Sequence, residues 1–173
     1  WGMGVDLPTS VTCGGGKYAM PTDDDQETPD TYIATFDFGG GKGATWEGHS
    51  CHPRGFENVG FGVNFYGSKG HLIFAGNEYK FTDLNGKILS EGKGRGNDAV
   101  HFEDFFNGIR VGKTPRAEIE DAQKSTMLCH LGNIAYRTGS VIRFDPKKQQ
   151  IIGNQRAMAY WGRKYRRGWE PKV

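Results

Sequence analysis

The sequence predicts an α+β domain: an open, predominantly antiparallel β-sheet with helices packed on one of its faces. Three observations lead there. Residues Thr31 to Phe38 alternate cleanly, with Tyr32, Ala34, Phe36 and Phe38 on one side and Thr31, Thr35 and Asp37 on the other. Similar short runs recur, separated by glycine-rich or Asn-Gly turns of the kind that close hairpins. From Ala99 onward the apolar period becomes helical and stays so, and runs of strands followed by helices place the helices on one sheet face.

The elements follow in order. Pro8 forces an extended chain, and Thr9 to Cys13 reads as a short strand leading into Gly14–Gly16. Thr22 to Pro29 is an acidic loop before the Thr31 strand. Gly39-Gly40-Gly41-Lys42-Gly43 turns the chain into a partner strand, Ala44 to His52. Val59 to Tyr66 and His71 to Phe74 form a second hairpin. Tyr79 to Asp83 and Lys87 to Ser90 flank the tight turn Leu84-Asn85-Gly86. Together these predict a sheet of about six strands. Ala99, Phe102, Phe105, Phe106 and Ile109 then share one helix face. A second helix starts near Pro115 to Glu118, with acids favouring its N-terminus, and stops at Gly139. Its core stripe is Met127, Leu128, Leu131, Ile134 and Ala135. Ser140 to Phe144 is one more strand, and Asn154 caps a short helix through Tyr160.

Composition narrows the function classes. Of 173 residues, 36% are apolar and 27 are glycine, which suits an exposed, turn-rich antiparallel sheet. The 22 basic and 20 acidic residues leave a net charge of +2, so there is no overall bias toward nucleic acid or membrane surfaces. The basic, aromatic cluster Arg163-Lys164-Tyr165-Arg166-Arg167-Gly168-Trp169 is too short to change that. No apolar stretch is long enough to span a bilayer. Cys13, Cys51 and Cys129 are widely spaced, form no metal-ligand pattern and fit a reducing compartment.

Glycine motifs do not mark a nucleotide site. Gly14-Gly15-Gly16-Lys17-Tyr18-Ala19 has the spacing of a dinucleotide-binding turn, but Met20-Pro21 and three aspartates follow where a helix is required. Gly94-Arg95-Gly96-Asn97-Asp98-Ala99 precedes a helix, yet only Ile88-Leu89 stands before it and a second helix comes after. Gly108 to Thr114 imitates a phosphate loop at the end of a helix instead of its beginning.

Two groups of residues have the character of a polar-ligand site. Gln123, Thr126, His130, Asn133 and Arg137 share one side of the second helix, next to its core stripe. Such a row lines a pocket for hydroxyl groups or forms a solvated side, with His130 and Asn133 the strongest binding candidates. The segment Trp46-Glu47-Gly48-His49-Ser50-Cys51-His52-Pro53-Arg54 is richer in functional side chains than a hairpin needs. Trp46 is suited to stacking on a pyranose ring and Arg54 to binding carboxylate or hydroxyls, while His49 and His52 complete the candidate set. The other reading packs Trp46 into the sheet and pairs Arg54 with Glu57 or an acid of the loop. Asp23, Asp24 and Asp25 are adjacent and do not converge as a metal cage.

Several stretches together resemble the C-terminal domain of the Gfo/Idh/MocA oxidoreductases: HFEDFFNGIRVGKTPRAEIEDAQKSTMLCHLGNIAYRTGSVIRFDP from His101, the closing RKYRRGWEP, WEGHSCHPRGFENVGFGVNFYGSKG from Trp46, the opening WGMGVDLPTS and the acidic DDDQETPDT. The resemblance implies one substrate-binding and oligomerisation domain over residues 1–173, without the family's N-terminal Rossmann domain. It implies a parent that uses NAD or NADP on a sugar-type carbonyl or alcohol. The family's lysine, in a Glu-Lys-Pro motif, and its histidine, before a Trp-Gly-Leu-Gly-type stretch, match no residue here. No catalytic residue, cofactor site or metal site is therefore expected in this chain. Its expected partners are a sugar-type molecule, the nucleotide-binding domain and further copies of itself through the exposed sheet face. Neither nucleic acid nor membrane is expected, and the expected compartment is the cytoplasm, with an exported parent as the alternative. The alternative is a free-standing binding or assembly module, and a parent that cleaves glycosides by redox assistance or epimerises sugars also fits.

Overall fold

A computed structural model describes residues 1–19, 25–50, 52, 59–94 and 96–171. In chain order the strands before the helices are β1 (Ser10–Gly16), β2 (Thr31–Gly39), β3 (Lys42–His49), β4 (Gly62–Gly67), β5 (Gly70–Ala75), β6 (Glu78–Thr82) and β7 (Ile88–Lys93). Then come α1 (Asp98–Val111), α2 (Ile119–Thr138), β8 (Ile142–Asp145), β9 (Gln150–Ile151) and α3 (Gln155–Trp161). The chain divides into two compact units, Trp1–Cys51 with Ala117–Val173, and His52–Arg116. All strand pairs are antiparallel. The α+β class is as expected.

The first unit is a five-stranded sheet in the order β3-β2-β1-β8-β9, with α2 and α3 on one face. Its register explains the alternation seen in the sequence. Phe36 lies between Val11 and Ala44, and Ala34 between Cys13 and Trp46, so these side chains share the helix-covered face. Beneath α2 they meet Leu131, Ile134 and Ala135, together with Ile142 and Phe144 of β8, to form the buried core. Each large side chain buried there contributes roughly 1.5–3 kcal/mol. Gly139 ends α2 in a left-handed conformation at φ 60° and donates its N–H to the last-turn carbonyls. Asn154 accepts the Ala157 N–H at 3.0 Å and starts α3.

The second unit is a four-stranded meander, β4-β5-β6-β7, followed by α1. Val63, Phe65, Leu72, Phe74, Tyr79 and Phe81 alternate onto one face, where the Phe65 and Phe74 rings meet edge-on at 6.2 Å. Asn97 caps α1 through the Ala99 N–H at 2.8 Å. The helix keeps its apolar stripe, but Phe102, Phe105, Phe106 and Ile109 are all exposed and α1 buries no side chain.

Two details differ from the sequence reading. The expected single sheet of about six strands resolves into sheets of five and four strands. Local pattern identifies strands but not distant pairings, and β8 returns across more than a hundred residues to set Ile142 beside Val11. β1 also continues past the expected end at Cys13 through Gly14–Gly16, which pair with Ile33, Tyr32 and Thr31. A Cβ on Gly15 would stand 2.2 Å from the Thr31 carbonyl oxygen, so the absent side chain permits the pairing.

Two outcomes follow from this packing. Leu131→Ala should cost about 2–5 kcal/mol in urea unfolding, because Leu131 is 0% exposed and its removal leaves a cavity. Phe105→Ala, at 52% exposure, should change it by no more than about 0.5 kcal/mol. The turn after β8 depends on pH. Backbone N–H groups of Lys147 and Lys148 donate to Asp145 Oδ1 at 2.9 and 3.1 Å. The Lys148 N–H, followed by that of Lys147, holds the Asp145 carboxyl below its ordinary value. A depressed carboxyl stabilises the turn above the ordinary carboxylate range and ceases to as pH falls through the lowered value. Amide exchange at Lys147 and Lys148 should therefore show protection near neutrality that is lost on acidification below about pH 4.

Candidate functional site

The predicted site residues are distributed over different surfaces. Trp46 sits on β3, the edge strand of the five-stranded sheet, opposite buried Ala34 and thus on the helix-side face. It remains 51% exposed. Its indole N–H donates to Tyr32 Oη at 3.1 Å. His49, three residues on, pairs with Thr31 and emerges on the opposite face. There its Nε2 lies 2.9 Å from Glu47 Oε1, a half-exposed pair worth no more than about 1 kcal/mol. One small pocket therefore does not hold both Trp46 and His49.

His130 and Asn133 occupy a third surface. Both are exposed on α2, within the predicted polar row. The side of α2 that rests on β2 is marked by Gly132, where a Cβ would lie 3.7 Å from Ala34 Cβ and 4.0 Å from Phe36 Cζ. At 3.6 residues per turn His130 is about 160° round the helix from Gly132 and Asn133 about 100°. They face solvent, away from the strand pair that carries Trp46. Within the same row, Arg137 Nη2 is 3.0 Å from Glu27 Oε2 and ties the helix to the loop before β2. His52 is exposed and belongs to the second unit. Arg54 lies outside the described residues, as do Cys51, Asp23 and Asp24.

The open face of the five-stranded sheet is polar. Ser10, Thr12, Thr35, Thr45, Asp37, Glu47 and His49 alternate onto it, around a half-exposed Ile33. The Thr12 and Thr35 hydroxyls hydrogen-bond across the strands. A shallow hollow of about 330 Å³ lies beside them, bounded also by Asp37 and Lys42. The aromatic residues of β2 turn the other way, toward α2. Among the described residues, no group of three or more His, Cys, Asp or Glu side chains is placed to hold a metal ion.

Comparison with known proteins gives the lineage. Residues 62–171 match the Gfo/Idh/MocA oxidoreductase family, C-terminal alpha/beta domain. The chain belongs to this family. No curated protein sequence matches it. Among solved structures, a protein of Thermotoga maritima assigned as an oxidoreductase is 18% identical, with a TM-score of 0.61 over 80% of this chain and 41% of that one. One of Klebsiella pneumoniae, similarly assigned, is 12% identical, with a TM-score of 0.57 over 90% and 47%. The WlbA dehydrogenase of Bordetella pertussis, solved with NADH and UDP-GlcNAcA, is 16% identical, with a TM-score of 0.55 over 80% and 39%. At such identities the likeness concerns the fold. This chain spans less than half the length of each of these proteins.

The matched stretch of this family domain contains His130 and Asn133, whereas Trp46, His49, His52 and Arg54 precede it. Sequence reasoning missed one residue that organises the Trp46 end of the sheet. Asp30 is 0% exposed. Its carboxylate accepts the Tyr18 N–H at 3.1 Å, the Ala19 N–H at 3.0 Å and the Thr31 hydroxyl at 2.8 Å. Its carbonyl accepts the Ser50 N–H at 2.8 Å. Asp30 therefore joins the exit of β1, the start of β2 and the exit of β3. Nothing within an acidic run signals which carboxylate is buried. Asp30→Ala strands the Tyr18 and Ala19 donors and should destabilise the first unit by about 1–3 kcal/mol, with faster amide exchange at both positions.

Proposed function

We propose that this chain is the substrate-side lobe of an NAD(P)-dependent oxidoreductase acting on a carbohydrate or polyol. In this reading it is one functional domain of a longer protein. The nucleotide and the catalytic lysine and histidine are held by another lobe, and the chain does not turn over substrate alone. The observation that carries the proposal is membership of the oxidoreductase C-terminal family over residues 62–171, in a chain that spans only 39–47% of the structures it resembles. A carbohydrate is supported by the sugar nucleotide bound to WlbA, by the half-exposed Trp46 and by the solvent-facing His130 and Asn133. Trp46 supplies a stacking surface and the α2 row supplies donors and acceptors for hydroxyl groups.

Self-association through open sheet faces belongs to the same reading. It is supported by Ile33, Val63 and Phe74, which are 50%, 43% and 41% exposed on their sheets. No helix among the described residues is long and apolar enough to cross a membrane. Cys13 and Cys129 carry free thiols, which fits a cytoplasmic setting.

Calorimetric titration tests the division of labour. NADH and NADPH should bind this polypeptide no more tightly than about 1 mM, whereas the same chain joined to its nucleotide-binding lobe should bind one of them in the micromolar range. Micromolar binding by the isolated chain would overturn the proposal.

A further inference from the structure

The open face of the five-stranded sheet changes character toward the exit of β1. Across β3, β2 and β1 one row reads Glu47, Ile33, Gly14, and the next reads His49, Thr31, Gly16. Side chains stand on β3 and β2 but not on β1, so the face steps down to bare backbone beside Ile33. A Cβ on Gly14 would meet nothing within 4 Å. At Gly16 the space is filled from outside the row, because a Cβ there would come within 2.8 Å of the Tyr18 ring. Asp30 anchors that residue by accepting the Tyr18 N–H at 3.1 Å. The result is a trough with Ile33, 50% exposed, as its floor. The Glu47–His49 pair forms one rim and Tyr18 the other. With His49 Nε2 donating to Glu47 Oε1 at 2.9 Å, Nδ1 and the second carboxylate oxygen remain as acceptors. Tyr18 is 69% exposed, and among the described residues none accepts its phenolic proton.

We infer that this trough binds a neutral pyranose or cyclic polyol. The ring lies with its C–H face on Ile33 and the Gly14 backbone; its hydroxyls donate to Glu47 and His49 and accept from Tyr18. Strand spacing puts the two rims about 10 Å apart. A six-membered ring with hydroxyls at opposite ends, each bonded at about 2.8 Å, needs partners about 11 Å apart. An apolar occupant would leave Glu47, His49 and Tyr18 unpaired, at about 1–3 kcal/mol for each group desolvated. An anionic occupant would meet the Glu47 carboxylate. A hydroxylated ring supplies both the apolar face and the donors that the trough lacks. The site lies on the face away from α2, separate from His130 and Asn133, and goes beyond the assignment of the chain as a substrate-side lobe.

The test uses the full chain, with methyl β-glucopyranoside and myo-inositol as probes and glucuronate as the anionic control. In NMR titrations the neutral probes should shift the His49 ring protons and the Tyr18 amide, and glucuronate should bind about 5-fold more weakly. Gly14→Val is the deciding variant. Its Cβ enters open space, so the urea midpoint should not fall, yet the side chain fills the trough and should weaken binding at least about 10-fold. Tyr18→Phe removes the donor and Glu47→Ala the acceptor, and each should weaken binding about 3–10-fold. Neutral-probe binding that survives both Gly14→Val and Tyr18→Phe overturns the inference. So does the absence of binding by the native chain at about 50 mM probe. In both cases the oxidoreductase reading stands. Glucuronate binding tighter than that of the neutral probes overturns the ligand class. Conversion of an oligomer to monomer by Gly14→Val in sedimentation makes the trough a contact between copies and overturns the site.

Discussion

The contact of α2 with the inner face of the five-stranded sheet is the constraint on which the first unit depends. Leu131, Ile134 and Ala135 press onto Val11, Phe36, Ile142 and Phe144, and a Cβ at Gly132 would sit 3.7 Å from Ala34 Cβ. A methyl group fits there at ordinary contact distance, whereas a side chain larger than alanine would lift the helix and open the core, since close-packed interiors tolerate little added volume. That contact buries one face of β2 and β1 and leaves the other polar. It also decides which side of α2 meets solvent, and so where His130 and Asn133 stand.

Asp30 plays a comparable part at the end of the sheet. A fully buried carboxylate persists where donors surround it, and here two backbone N–H groups and a hydroxyl do so. The same residue joins three strand ends, close in sequence to Tyr32. The aromatic pair Tyr32–Trp46 therefore rests on an anchored strand start and is not a floating loop feature. Among the described residues the second unit shows no equivalent: its apolar sheet face is half-buried, the stripe of α1 is exposed, and no hydrophobic side chain is buried.

Much of the fold was legible from local chemistry. The alternation of Thr31 to Phe38 separated the two faces of β2, because side chains on a strand must alternate. Gly139 and Asn154 marked helix ends, because orphan backbone groups at a terminus need those partners or conformations. The family was legible too, from motifs that extend over most of the chain. The site was much less so. Trp46 and His49 are neighbours in the segment but face opposite sides of the sheet, and Tyr18 carried no signal of its own.

The sequence alone determined the element types, the antiparallel α+β class and the lineage, since these depend on residue periodicity, capping and motif, all local properties. Tertiary structure alone decided that β8 returns to pair with β1, that two sheets form where one was expected, that Asp30 is buried and that the polar row of α2 points away from Trp46. Each of these depends on pairings between residues distant in the chain. The free energy of such contacts is set by burial and register in the folded molecule, which no window of neighbouring residues contains.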